Sequence, residues 1–325
     1  MLITLEIQAP ASLRLINLFS PVDISVLLQI GFKYSELSKY EKKFLPLQVQ
    51  IFIMGNPVNN VLFINSEIMP FLPESPIASI GRYLPQGIQE KKRQIRAFMP
   101  RYGCINERKN QLHEVIRLSG MNIIIGDVDR TLVIKVASIA AARIQVYFID
   151  NDDFFRRKQT AFDSDGKFFE DNGQRAIFFA RGVLETVKKL RWAPDVIHCQ
   201  GWISHLVPLY LKKVYYGDPI FAGSKVVTSL YNDISSETFS ANFKETIPFG
   251  GIKPSDVSLM DNPTGTNLAE MAALYSDGVI FGAPDVDGEV IKYCEGLKIP
   301  TLPFNEKSLS DGSYIDEYDR FYQEL

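Results

Sequence analysis

The residues best equipped for chemistry cluster in Asp195-Val196-Ile197-His198-Cys199-Gln200-Gly201-Trp202, with His205 shortly after. A histidine beside a cysteine raises the prospect of an activated thiolate, and two nearby histidines raise that of a metal centre. The spacing argues against both. Adjacent residues of a strand point to opposite faces, so His198 does not serve Cys199. Three histidines in the whole chain are too few for a histidine-rich metal site, and Cys104, Cys199 and Cys294 match no metal spacing. What remains is a short apolar strand running into a helix start. An α/β sheet opens its ligand crevice at that end of a strand, and His198 and Trp202 stand there.

Phosphate chemistry finds little support. No G-x-G-x-x-G or Walker-type loop follows any apolar run. The turn Pro73-Glu74-Ser75-Pro76 reads as a plain helix entry, with Ser75 as N-cap and Pro76 in the first turn.

The elements that must position these residues alternate between strand and helix from Val58 onward, the pattern of a doubly wound, mostly parallel sheet. Val61-Leu62-Phe63-Ile64 is a continuous apolar run, as a strand covered on both faces requires. Ile77, Ile80, Leu84 and Ile88 mark a helix that Pro85 should kink or break. Ile95 to Met99 is the next strand, closed by Pro100. Leu132–Val136 and Ile144–Phe148 predict a β-hairpin insertion that returns to the main sheet. After a loop from Asp150 to Gly173, Ala176, Ala180, Val183, Val187 and Leu190 form one face of a helix, with Lys188, Lys189 and Arg191 at its negative end. Beyond Val196–His198 come a helix interrupted by Pro208, a strand at Lys225–Leu230, loop or short helix from Asn232 to Asp261, a helix at Thr266–Tyr275, a strand at Gly278–Phe281 and a helix at Gly288–Cys294.

The chain has 325 residues, 46% of them hydrophobic, enough for one or two sizeable cores. A net charge of −3 leaves no polybasic footprint, so nucleic acid is not an expected partner. No uninterrupted apolar run of about 18 residues predicts a membrane span. Three scattered cysteines suit a reduced, cytoplasmic setting. The expected organisation is a poorly ordered leader over residues 1–53, an α/β domain over 54–305, and a tail over 306–325 that is either a terminal helix or disordered.

Several blocks, in order, resemble the N-terminal domain of the glycogen and starch synthases, two-domain glycosyltransferases of the GT-B type. Val61-Leu62-Phe63-Ile64-Asn65-Ser66-Glu67-Ile68-Met69-Pro70 is similar to their opening strand and S-E-x-x-P turn. Arg96-Ala97-Phe98-Met99-Pro100-Arg101-Tyr102-Gly103 resembles their R-V-x-x-P-[KR]-Y-G block. Tyr147-Phe148-Ile149-Asp150, then Asp171-Asn172, Arg175 and Phe178-Phe179, follow Y-x-[LI]-D … D-N-x-x-R-F-x-F-F. Pro194 to Trp202, then Leu206 to Lys212, is the fullest block, similar to D-[VI]-[VI]-H-x-H-D-W-H and its helix.

The resemblance implies a Rossmann-like GT-B N-terminal domain and a place in α-1,4-glucan metabolism. Those enzymes move glucose from ADP- or UDP-glucose to a glucan, and their N-terminal domain mainly holds the acceptor. It implies substrate contacts at His198, Trp202, Asn172 and Tyr231, the last where the family has a histidine. Aromatic faces stack on sugar rings and amides bond their hydroxyls, so the residue types suit. Chemistry-bearing positions depart from the pattern, however. The family's lysine and two glycines in K-x-G-G-L align with Pro73, Ser75 and Pro76. Its second histidine, aspartate and third histidine align with Gln200, Gly201 and Ile203. Losing one charged hydrogen bond costs about 1.5–3 kcal/mol, roughly ten- to a hundredfold, so several losses together should abolish diphosphate binding at this loop. The expectation is therefore an α-glucan partner, no cofactor, no metal and no catalytic residue. A nucleotide sugar would bind only with a partner chain supplying the donor half. The alternative is a non-catalytic glucan-binding or regulatory module with a protein partner.

Overall fold

The computed structural model describes residues 58–325; the expected leader at 1–53 lies outside them. The strands are β1 (Asn60–Asn65), β2 (Gln94–Pro100), β3 (His113–Glu114), β4 (Met121–Ile125), β5 (Val128–Ile139), β6 (Ile144–Asp150), β7 (Val196–Gln200), β8 (Lys225–Leu230), β9 (Gly278–Phe281) and β10 (Thr301–Leu302). The helices are α1 (Pro76–Glu90), α2 (Asp152–Phe155), α3 (Asn172–Leu190), α4 (Val207–Lys213), α5 (Phe243–Thr246), α6 (Gly265–Leu274), α7 (Gly288–Leu297), α8 (Glu306–Asp311) and α9 (Tyr314–Glu324).

The sheet runs β10-β9-β8-β7-β1-β2-β6-β5-β3, with β4 pairing β5 outside this path. All pairings from β10 to β6 are parallel, and the β3, β4 and β5 pairings are antiparallel. This is the doubly wound α/β sheet with a hairpin insertion that the sequence predicts. The chain lays down β1, β2 and β6 in one direction, then crosses back to place β7 on the other side of β1. The order of strands therefore reverses between β1 and β7, and the mouth of an α/β sheet opens at such a reversal.

β1 is covered on both faces: Val61, Leu62, Phe63 and Ile64, which alternate between them, are all fully buried. Each such side chain contributes about 1.5–3 kcal/mol of burial free energy. Asp195 fixes the register at the other end of the pair: its Oδ2 accepts the backbone N–H groups of Asn59 (2.7 Å) and Asn60 (2.9 Å). The hairpin is tied to the sheet by an ion network. Asp150 Oδ2 lies 2.9 Å from Arg101 Nε and 3.0 Å from Lys135 Nζ.

Of the expected proline effects, the break at Pro85 and the interruption at Pro208 do not occur. Pro85 neither breaks nor ends α1, which continues to Glu90 with Leu84, Pro85 and Ile88 buried. Tertiary burial outweighs the single lost N–H. Pro208 opens α4 rather than interrupting it. In the first helical turn the missing N–H has no intrahelical acceptor, so nothing is lost.

Residues 306–325 form α8 and α9. In α9, Tyr314, Tyr318 and Tyr322 recur at helical spacing, are buried and belong to the main core.

Candidate functional site

At the carboxyl end of β7, Gly201 takes φ +80°, ψ 154°, a conformation that only glycine adopts without strain. The chain then turns into a single 3-10 turn, Trp202–Ser204. Ser204 Oγ closes it by donating to Gly201 O at 2.7 Å. This turn follows directly on the carboxyl end of β7, at the strand-order reversal.

His198 lies mid-strand, not at the mouth. It is fully buried, with Nε2 2.7 Å from Ser229 Oγ and Nδ1 2.8 Å from the Tyr322 hydroxyl. Burial pushes its pKa down to about 3, so the ring is neutral, with one nitrogen donating and the other accepting. Cys199 points away, and burial raises its thiol pKa far out of the physiological range. A His–Cys nucleophile is thus absent in geometry and in charge.

Trp202 is likewise enclosed. Its ring centroid lies 5.8 Å from that of Phe168 and 6.2 Å from that of Phe239. Asn172, at the start of α3, is wholly buried. Its Nδ2 donates to Ala161 O at 2.8 Å, and its Oδ1 accepts from Arg175 Nη1 at 2.5 Å. Tyr231 follows β8 and fits because residue 282 is glycine: a Cβ there would come within 2.4 Å of the phenol ring. His198 and Tyr231 approach the same tyrosine-lined face under α9. Trp202 and Asn172 belong to an aromatic cluster beyond the 3-10 turn.

Around the carboxyl ends of β1 and β7 stand Asn65, Ser66 and Gln200, none of them among the substrate contacts that the resemblance implies, together with Tyr231, which is among them. Asn65 and Gln200 are register partners across β1 and β7, and Ser66 N–H donates to Gln200 O at 2.9 Å. Among the described residues, both amide atoms of Asn65 and Ser66 Oγ are buried without a hydrogen-bond partner, while the Tyr231 hydroxyl and the Gln200 side chain face each other within hydrogen-bonding reach. Buried polar groups are nearly always paired, and the unpaired ones here gather at the strand-order reversal between β1 and β7. Asp233 borders it. Its Oδ2 accepts the Trp202 backbone N–H at 2.9 Å. Desolvation pushes its carboxyl pKa up to about 6, against the opposing pull of backbone N–H groups. The signal for these residues was the S-E turn after β1 and an acidic residue just past β8, neither meaningful without the register.

Beside the crevice, the N-terminus of α1 is already occupied. Ser75 Oγ accepts the Ala78 N–H at 3.0 Å and donates to Glu67 Oε2 at 2.6 Å. Pro76 brings no N–H, and Glu74 is exposed in front of the helix. Among the described residues no group of three or more histidines, cysteines or acidic residues is placed to hold a metal, and no helix is long and apolar enough to cross a membrane.

Comparison with known proteins agrees with this layout. The family described as starch synthase catalytic domain matches residues 60–298. A glycogen synthase from Chlorobium limicola is 31% identical over 247 residues, 70% of this chain and 48% of that protein. One from Chlorobium luteolum is 38% identical over 173 residues, covering 53% of this chain and 35% of that protein. The chain thus spans at most about half the length of these relatives. Among solved structures, the catalytic domain of starch synthase IV from Arabidopsis thaliana, bound to ADP and acarbose, superposes with a TM-score of 0.61 at 16% identity. That match covers 78% of this chain and 53% of the other, and it supports the GT-B type of Rossmann-like fold. On the extent of the match and the identity to glycogen synthases, the chain belongs to the starch synthase catalytic domain family.

Proposed function

We propose that residues 58–325 form the acceptor-side lobe of an α-1,4-glucan-directed glucosyltransferase, one that binds glucan but has lost its own grip on the donor diphosphate. The observation that carries this reading is the N-terminus of α1. A helix start binds phosphate through free N–H groups and a favourable dipole. Here Ser75 takes one N–H, Pro76 removes another, and the carboxylates of Glu67 and Glu74 stand where an anion would come. A diphosphate would meet repulsion from two carboxylates instead of a lysine.

The strand-order reversal next to it carries amide and hydroxyl groups without partners, at Asn65 and Ser66, and these suit sugar hydroxyls, which supports retention of a glucan. His198 and Asn172 act in this reading as supports rather than sugar contacts, because their polar atoms are engaged. Glucose transfer then needs phosphate-binding groups contributed from outside residues 58–325. The free cysteines Cys104, Cys199 and Cys294 suit a cytoplasmic location for such work.

Calorimetric titration of the chain with maltoheptaose and, separately, with ADP-glucose tests the proposal. Binding of the first with no heat from the second is expected. Saturable ADP-glucose binding that survives Ser75→Ala and Glu74→Gln unchanged, or glucose transfer to glycogen by the chain alone, overturns it.

A further inference from the structure

A cleft lies at the amino end of β8, the opposite end of that strand from Tyr231. Its walls are Leu211 and Lys212 from the end of α4, Val226 from β8, and Tyr216, Phe221, Ala222 and Ser224 from the loop that joins them. It measures about 350 Å³ with its open mouth included, and about 80 Å³ of this is open to the centre of a water molecule. That is room for about five to eight waters, the scale of one sugar ring and too little for a nucleotide. From Val226 to Tyr231 the strand runs about 16 Å, so no single sugar touches both ends.

The loop from 214 to 224 is pinned at every turn. Tyr215 O accepts the N–H of Asp218, Asp218 O those of Phe221 and Ala222, and Phe221 O that of Ser224, each at 2.9 Å. Outside contacts hold it as well. The Tyr215 hydroxyl donates to Glu185 Oε1 at 2.6 Å, Asp218 Oδ2 lies 3.2 Å from Lys188 Nζ, and Ser224 Oγ donates to Pro194 O at 2.6 Å. From this frame Tyr216 projects, 71% exposed, at the rim of the cleft. A scattered surface aromatic is ordinary. One carried on a fixed loop beside a cleft is a platform ordered before any ligand arrives, which lowers the cost of binding.

The lining sets the ligand class. Lys212 Nζ donates to both Asp277 oxygens, at 2.8 and 2.7 Å, so its charge is already answered and an anion gains little there. An ammonium has three donors, which leaves one for a ligand, and Ser224 Oγ keeps its lone pairs because its proton goes to Pro194. Leu211, Phe221 and Val226 form an apolar floor. An aromatic face, an apolar floor, one donor and one acceptor match a pyranose, which has an apolar C–H face and a rim of hydroxyls.

We propose that this cleft is a second glucan site, where one hexose of a neutral α-glucan packs on the Tyr216 ring. Glucan as the occupant rests on the reading above, while the cleft is a separate place on the molecule. Because it sits at the amino ends of the strands, away from the mouth of the sheet, it anchors the polymer and takes no part in transfer.

The test is calorimetric titration of the full chain with maltoheptaose, for the wild type, Tyr216→Ala, Tyr216→Phe and Ala222→Trp. The first variant removes the platform, the second keeps its ring, and the third fills the cleft from an exposed position. The wild type and Tyr216→Phe should bind two molecules of maltoheptaose, and Tyr216→Ala and Ala222→Trp one. Maltoheptaose should slow hydrogen exchange over residues 214–224 in the wild type and in neither of those two variants. Positions 216 and 222 are exposed, so melting temperatures should match the wild type. Unchanged stoichiometry in both Tyr216→Ala and Ala222→Trp refutes the second site and leaves the acceptor reading intact. A single wild-type site that both variants abolish supports the cleft and removes glucan from the β1–β7 reversal. No binding by the wild type overturns both.

Discussion

The Tyr322 hydroxyl and His198 Nδ1 lie 2.8 Å apart inside the protein, joining the last helix to a central strand across 124 sequence positions. With Ser229 on the opposite ring nitrogen, the imidazole is fully satisfied in its neutral form. α9 is thereby part of the core, not an appendage.

Tyr322→Phe strips His198 of one partner in a fully buried site. A buried polar atom left unpaired costs about 1–3 kcal/mol. The urea midpoint should fall accordingly, while Tyr83→Phe, at a phenol that is exposed, should leave it unchanged. Equal midpoints for Tyr322→Phe and wild type would contradict the arrangement.

Acid sensitivity follows from two buried imidazoles. Burial lowers the pKa of His198 and of His205 to about 3, against about 6.5 in an unfolded chain. Between those values the unfolded state binds the proton and the folded state does not. Stability is therefore complete above about pH 6.5 and declines as pH falls, by up to about 1.4 kcal/mol per pH unit for each ring. Asp233 works the other way: with its pKa raised to about 6, the cost of its buried charge is relieved on acidification. Glu270, also raised by burial, acts with Asp233, while Asp256, Asp311 and Asp316, held low by hydrogen bonds and nearby lysines, act with the histidines, so the net slope is a loss. His205 has no partner for either ring nitrogen among the described residues. His205→Leu should flatten the decline between pH 6.5 and 4, as read from urea midpoints at each pH.

Gly201 should tolerate no side chain. Left-handed strain costs about 1–3 kcal/mol, and overpacking against Ser66 Oγ at 2.1 Å adds to it. Gly201→Ala is expected to lower the melting temperature markedly, and Gly201→Asp at least as much. Ser66→Gly in the same chain should recover the packing share and not the backbone share.

Arg175 is a fully buried cation held by Phe154 O at 3.0 Å and by Asn172 Oδ1, over the rings of Tyr102, Phe155 and Phe169. Burial lowers its pKa to about 10, and it stays charged. Asn172→Ala exposes that charge to an apolar setting and should cost about 3 kcal/mol. The pair replacement Arg175→Met with Asn172→Leu should recover a large part, measured by chemical denaturation.

Much of the fold could be read from the chain because its signals are local. Val61–Ile64 declares a two-sided strand by lacking polar breaks, and α3 declares itself by a single apolar face. Pro208 misled because a proline in a first turn and a proline that breaks a helix look alike to periodicity; only the placement of the helix start separates them. At the site, resemblance brought forward His198, Trp202, Asn172 and Tyr231, yet it carried no information about which polar atoms are already taken. Ser229, Tyr322 and Arg175 take those of His198 and Asn172. Asp233 stayed hidden for a different reason. Its contact with the Trp202 N–H depends on the turn that Gly201 makes at φ +80°, and that is a property of backbone angles, not of residue type.

β1 is the one strand bonded to an early neighbour, β2, and to a late one, β7. Its amides are thus shielded by two halves of the sheet that are completed at different times. While the polypeptide is being made, the hydrophobic run Val61–Ile64 waits for Val196–Gln200 to emerge and cover its flank. Chaperone capture should concentrate on that interval, and in the finished protein deuterium should enter β1 last.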